Sequence, residues 1–341
     1  MTPVPGRDAR RSDGPGRASR RPATAPRRAS RAPERPPAAA GRPSRAPERP
    51  PAAAGRPSRA PGRSPTALGR LIRHPVALAG LILVAVEGAL ALGAPWLAPF
   101  DPSAIDPRAL LAGPSLAHLL GADDLGRDLL SRLIHGARIS MGVGVAAVLM
   151  AMAAGVPVGL VTGYVGGRLD EALMRLLDSV MALPALVLAL TIAAVLGLGL
   201  TSGMIAIAIV LVPTFTRLVR GQVLSVKHHE FITAARALGA PTRVILARHL
   251  LPNVVNPVIV QAALSVGFAI IIESSLSFIG LGAQPPTPTW GSMVQIGFQY
   301  LELAPWFALA PATLIFLAVL GFNLLADGLR ELLDPVARRR G

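Results

Sequence analysis

A chain of 341 residues that is 52% apolar and also carries a formal charge of +15 must keep the two properties in different places. Residues 1 to 73 hold 18 of the 34 basic residues and four acids, so the tail carries +14 and the remainder only +1. Because this basic segment is nearly free of aromatic and β-branched residues and precedes long apolar runs, its charge argues against nucleic-acid binding. The chain contains no cysteine, which excludes disulfides, thiolate nucleophiles and cysteine-based metal sites.

The tail, 1–67, contains a 14-residue repeat: Ser30 to Pro43 (SRAPERPPAAAGRP) recurs as Ser44 to Pro57 and begins again at Ser58. Such Pro, Ala and Arg-rich sequence cannot bury enough apolar surface to offset chain entropy, and a disordered arm is expected. Its basic residues suit either contact with anionic lipid headgroups or a passive solvated extension, and the second is the simpler reading. The first apolar run begins only near Val76, which does not fit a cleavable signal peptide.

Six apolar spans follow, Val76 to Ala94, Ser140 to Val161, Asp178 to Gly199, Gly203 to Val219, Val255 to Ile279 and Trp306 to Ala326. Each approaches the roughly 20 residues a helix needs to cross a hydrocarbon core of about 30 Å. The pattern predicts an all-α membrane protein of six transmembrane helices. Residues 68–138 form the first helix and an extracytoplasmic loop, 139–336 the core with a coupling loop at 220–254, and 337–341 a basic C-terminus. Arginine and lysine in the tail, in Tyr164 to Arg175, in Arg217 to Arg248 and at Arg338 to Arg340 place those segments and both termini on the cytoplasmic side. The loop between the first two spans breaks the rule with Arg108, Arg127, Arg132 and Arg138.

Within that loop, Gly121 to Asp128 (GADDLGRD) is rich in carboxylates but lacks the ligand spacing of a calcium loop, and a helix start capped by Asp123 or Asp124 is the plain expectation. Glu87 and Glu273 lie inside spans, where an ionisable group costs about 2.5 to 3.5 kcal/mol at a helix centre. Glu87 is expected to be a packed carboxyl with a partner. Glu273, with Ser274, Ser275 and Ser277, fits either a wet translocation pathway, to which Glu273, Ser274 and Ser277 would contribute, or an interhelical hydrogen-bond set.

No enzyme chemistry is legible. ATP hydrolysis requires a Gly-rich loop ending in Lys-Ser or Lys-Thr, and the sole lysine, Lys227, lies between Val226 and His228 with no such loop before it. The six histidines show no i, i+4 pairing for a metal, and no Gly-x-Ser-x-Gly elbow occurs. The chain is therefore expected to bind no metal or cofactor and to draw its energy from a partner or from an ion gradient.

The segment Glu230 to Asn253 (EFITAARALGAPTRVILARHLLPN) is a short polar helix former between apolar spans. Phe231, Ala234, Ala235 and Leu238 fall on one helical face, Gly239 ends the helix and Pro241 prevents its resumption in register. Two alanines flanked by Phe231 and Leu238 leave a shallow surface for close approach, so the segment reads as a docking element. It resembles the E-A-A-x3-G-x9-I-x-L-P cytoplasmic loop of permease subunits of bacterial ABC importers, with Thr233 in the place of the Glu and His249 in that of the Ile. Leu120 to Gly144, GYVGGR at Gly163, ESSLSFIGLG at Glu273, TWGSM at Thr289 and FNLLADGLRELLDP at Phe322 are similar to the C-type permeases of dipeptide and oligopeptide systems.

The resemblance implies a docking surface made of Glu230, Phe231, Thr233, Ala234, Ala235, Arg236, Leu238, Gly239, Leu251 and Pro252. It also implies partners: a second permease subunit in a heterodimer, two cytoplasmic ATPase domains that carry the ATP and magnesium, and an extracytoplasmic substrate-binding protein. All would meet in the lipid bilayer of a bacterial inner membrane. The competing readings are a gradient-driven secondary transporter, in which Glu87 and Glu273 would be coupling residues, and a membrane scaffold.

Overall fold

The computed structural model describes residues 75–333. The tail expected over 1–67 and the basic C-terminus 337–341 lie outside these residues. Nine helices run in order among them: α1 (Pro75–Leu97), α2 (Leu129–Val165), α3 (Gly167–Met181), α4 (Ala185–Leu196), α5 (Leu200–Val226), α6 (Glu230–Ala237), α7 (Thr242–Phe278), α8 (Trp290–Gln299) and α9 (Pro305–Leu333). Helices α1, α2, α5, α7 and α9 are each long and apolar enough to cross a bilayer, and the bent pair α3 and α4 raises the number to six.

The third span departs from expectation. A single helix over Asp178 to Gly199 is replaced by α3 and α4, which meet at 93°. Leu183 precedes Pro184, and a residue before proline is pushed out of the helical region, so the helix stops at Met181 and restarts after the proline. The 12 residues of α4 rise only about 18 Å, short of a full core. Asp178 belongs to α3 and pairs with Arg217 of α5, while the Asp170 carboxylate accepts two hydrogen bonds from the Arg220 guanidinium, at 2.6 and 2.7 Å. These partners also let α5 run on to Val226, beyond the apolar run that ends at Val219.

Helix α5 lies against α2 in the same direction. Gly155, Gly159 and Gly163 are spaced four apart on α2 and meet Phe215 and Thr216, Val219, and Val223 of α5 in turn. A Cβ on Gly159 would stand 2.6 Å from the Thr216 carbonyl oxygen and 2.8 Å from the Val219 Cβ. Small residues at this spacing let helix backbones touch, and in lipid such dispersion contacts carry helix association because no hydrophobic difference separates the helix surface from the acyl chains. Helix α9 packs antiparallel on α1 through Gly80, Gly321 and Gly328, and α7 packs on α2, α5 and α9.

Helix α7 begins before its apolar stretch. Pro252 lacks the N–H that the preceding turn would bond and crowds the carbonyl four residues back, and the six residues Ile245–Leu250 before it widen into a π-helical turn. Asn253 Nδ2 donates to the His249 carbonyl at 2.6 Å, which satisfies one group the widening exposes. Between α7 and α9 the sequence offered only a link. The structure forms α8 there, started by a reciprocal Thr289 and Ser292 cap and anchored by the fully buried Trp290.

In the loop before α2, the expected cap is corrected. Asp128, not Asp123 or Asp124, caps α2, with Oδ2 accepting from the Ser131 amide (2.8 Å) and hydroxyl (2.7 Å). Asp123 instead folds the turn, accepting from the amides of Leu125 and Arg127 and from Arg127 Nε at 2.6 Å, and Arg132 Nε lies 3.2 Å from it. Two of the four arginines that break the orientation rule are thus buried against a carboxylate.

Gly159→Val is expected to push α2 from α5 and destabilise the protein by about 1–3 kcal/mol. Gly88→Ala, where an added Cβ meets nothing within 4 Å, should leave stability unchanged. Thermal inactivation of the detergent-solubilised protein distinguishes the two.

Candidate docking site

Helix α6 bridges the ends of α5 and α7. Its first turn starts with Glu230, whose charge favours the positive end of the helix dipole. Ile232 is the one buried residue of α6, at 0% exposure, and joins Ile245, Leu250 and Val254 in the core. The opposite face is open: Phe231, Thr233 and Ala234 are exposed, Ala235 is half-buried and Leu238 is 88% exposed.

The C-terminus of α6 closes by backbone geometry. Gly239 adopts a φ of +76°, a left-handed conformation that glycine takes without Cβ strain. This turns the Gly239 N–H onto the Arg236 carbonyl (2.9 Å) and the Ala240 N–H onto that of Ala235 (3.0 Å), the paired bonds of a Schellman motif. The chain then leaves through Pro241 into α7, where Leu251 and Pro252 are exposed.

Polar contacts fasten this unit to α2. Arg236 Nε donates to the Tyr164 hydroxyl oxygen at 3.0 Å and its guanidinium sits 4.7 Å from the centre of the Tyr164 ring. Lys227 Nζ donates to the Gly163 carbonyl at 3.0 Å. Of the residues expected to form the docking surface, Arg236 is therefore engaged within the chain, whereas Phe231, Ala234 and Leu238 face outward together. Ile232, Tyr164 and Lys227 were absent from the sequence-based set. Ile232 falls on the far side of the wheel from Phe231, Ala234 and Leu238, and Tyr164 lies in the GYVGGR motif.

Residues 155–339 match the model of the binding-protein-dependent transport system inner membrane component, and residues 65–114 that of the N-terminal transmembrane domain of oligopeptide transport permease C. The chain belongs to this transport family. It is similar to the dipeptide transport system permease protein DppC of Alkalihalophilus pseudofirmus, 44% identical over 263 residues that cover 77% of this chain and 86% of the relative. It is also similar to the di/tripeptide transport system permease protein DppC of Pseudomonas aeruginosa (45%, 76% and 88%). A third relative is the glutathione transport system permease protein GsiD of Pectobacterium atrosepticum (43%, 77% and 88%). Membership makes the chain a multi-pass, non-catalytic membrane subunit of a transport system driven by a partner ATPase, and sets the gradient-driven and scaffold readings aside.

Glu273, Ser274 and Ser277 of this permease are enclosed. Ser277 Oγ donates to Glu273 Oε1 (2.8 Å) and Ser274 Oγ to Oε2 (3.5 Å), and Ser140 of α2 stands beside the same carboxyl. The Trp290 amide donates to Ser140 Oγ (3.2 Å) and its indole N–H to the Leu133 carbonyl (3.1 Å). The set thus joins α2, α7 and α8 in the interior. Glu87 is 3% exposed, and neither carboxylate oxygen has a hydrogen-bond partner among the described residues, which corrects the expectation of a partnered carboxyl. Among the same residues no three His, Asp or Glu side chains converge as metal ligands.

Ile232→Asp should unseat α6. Burial of such a side chain is worth about 1.5–3 kcal/mol, so amide exchange over 230–238 is expected to accelerate by roughly tenfold or more. Leu238→Asp, on the open face, should leave the exchange of the isolated subunit unchanged.

Proposed function

We propose that this permease subunit forms half of the translocation pathway of an ATP-driven importer of small peptides, pairing with a second permease. The named relatives, which carry dipeptides, tripeptides or glutathione by their descriptions, support the substrate class. In this reading α6 lies on the cytoplasmic side with both termini and enters a cleft of an ATPase that holds ATP and magnesium. A binding protein delivers the peptide to the opposite face.

The observation that carries the docking role is the outward strip of Phe231, Ala234 and Leu238, with Ala235 beside it, on a helix whose inner face is fixed by Ile232. A helix that merely joined two spans has no need of an exposed leucine beside two alanines. The alanines let a partner approach to backbone distance, and Phe231 and Leu238 supply apolar anchors. Closure of the ATPases would move α6, and α6 would move α2 and α5 through the Arg236 contact to Tyr164, the Lys227 bond to Gly163 and the Ile232 packing. Glu230, Thr233, Gly239, Leu251 and Pro252 frame this surface, with Gly239 fixing the turn and Leu251 and Pro252 exposed at the start of the apolar part of α7. Within the same reading, the enclosed Glu273, Ser274 and Ser277 hold the outer ends of α2, α7 and α8 together and do not contact peptide.

Ala234→Asp places a carboxylate on the docking strip without touching the chain's own core. Peptide uptake by cells is expected to fall by about tenfold or more while the subunit remains in the membrane, since an unpaired buried charge costs several kcal/mol. Uptake by the unaltered system should persist when the proton gradient is collapsed and ATP is kept high. Unchanged uptake in the variant would refute the docking role, and loss of uptake with the gradient would refute ATP drive.

A further inference from the structure

Helices α3 and α4 meet at 93°, and α4 packs along α5, so α3 crosses the end of the bundle at close to a right angle to these spans. Its level is set from the α5 side. Asp170 and Asp178, about 12 Å apart along α3, pair with Arg220 and Arg217, about 4.5 Å apart along α5, as a helix crossing α5 requires. The two arginines flank Val219, where the apolar run of α5 ends. Helix α3 therefore lies at the level at which α5 leaves the hydrocarbon, at the end of the bundle that also carries α6.

At about 100° per residue, the side chains of α3 fall on distinct edges. Asp170 and Asp178 turn to α5. Leu169 and Leu176, 53% and 59% exposed, share an apolar edge with the half-buried Leu173 and Val180. Arg168 and Arg175 share a third edge; both are exposed, and their guanidinium groups make no ion pair or hydrogen bond among the described residues. Glu171, also exposed, lies across the helix from the leucines. We propose that α3 is an interfacial helix, flat in the headgroup layer of the leaflet nearest α6, and that Arg168 and Arg175 bind anionic phospholipid there.

The bilayer is the occupant because α3 continues at both ends into apolar helices of the same membrane, α2 and α4. An interfacial helix dips its apolar edge into the boundary between headgroups and acyl chains. With Leu169 and Leu176 turned that way, Glu171 points to water and Arg168 and Arg175, about a quarter-turn from the leucines, stand level with the lipid phosphates. A guanidinium fork matches phosphate oxygens with two parallel hydrogen bonds. Arg217 and Arg220 already balance Asp178 and Asp170, so Arg168, Arg175 and Glu171 leave α3 one uncompensated cation. Such a charge at the surface favours an anionic headgroup over a zwitterionic one by about fivefold. Bound lipid thereby braces α3 and, through the two carboxylate pairs, the inner end of α5. This role is independent of the solute carried and of the ATPase.

The absence of cysteine gives a direct test. Leu169→Cys, Leu176→Cys and Glu171→Cys are made separately and labelled with a fluorophore in the subunit purified with its partners. Each is reconstituted into vesicles of phosphatidylcholine and phosphatidylglycerol that carry a spin label near the headgroup or near the chain end. The leucine positions, about 10 Å apart along the helix, are expected at one depth, quenched more by the shallow label than by the deep one, and position 171 less by either. Half-quenching at position 176 should need about one-fifth as much headgroup-labelled phosphatidylglycerol as phosphatidylcholine. Arg168→Gln with Arg175→Gln should make the two lipids equal, and lysine at both positions should keep the difference. Unequal depths at 169 and 176 would show α3 upright, and no quenching by lipid at either would show a protein partner covering the leucines; each overturns the proposal. Equal response to the two headgroups with both arginines present overturns anionic binding. None of these results bears on the docking of α6, which is read by uptake.

Discussion

The backbone of α2 touches that of α5 because Gly155, Gly159 and Gly163, one to each turn, place no side chain between them. Everything at the end of the bundle that carries α6 depends on this approach. With the two helices in register, the Gly163 carbonyl falls within reach of Lys227, and Tyr164 on the next position meets Arg236. Asp170, just beyond the end of α2, closes on Arg220 through two hydrogen bonds. A side chain larger than hydrogen at Gly159 would separate the helices and move each of these partners out of range.

The arrangement gives α6 a particular mechanical character. One apolar side chain, Ile232, seats it, the Arg236 guanidinium ties it to α2, the Lys227 ammonium ties the link before it to α2, and a glycine turn hands the chain on to α7. Its other face is largely exposed among the described residues. A displacement of α6 is therefore passed to α2 and α5 at one end and to α7 at the other, through the π-helical turn ahead of Pro252. At the opposite end of the bundle, the Glu273 set and Trp290 fix α2, α7 and α8 to one another.

The sequence showed the apolar spans and the open face of α6 because both rest on local periodicity, which lipid and solvent exposure impose directly. Phe231, Ala234 and Leu238 were legible at helical spacing. What it hid depends on contacts between distant residues. Asp178 looked like the start of a span because its partner, Arg217, is 39 residues away, and Pro184 alone did not reveal that the helix turns through 93° there. Asp128 was missed as the cap because three carboxylates compete within six residues and only the fold assigns one to Arg127 and Arg132 and another to Ser131. The glycine repeat at 155, 159 and 163 was written in the sequence throughout, but its meaning requires the opposing residues of α5. Arg236 has the look of a surface contact until Tyr164, 72 positions earlier, is placed beneath it.

The central claim is that the outward face of α6 is held by an ATPase. A photoreactive amino acid at position 238 in the native membrane, followed by identification of whatever is joined to it, tests this most directly. The account predicts a single dominant adduct with a nucleotide-binding protein bearing a Gly-rich phosphate loop, diminished when the complex is dissociated. Adducts with lipid alone, in membranes where the subunit is assembled and transports, would contradict it.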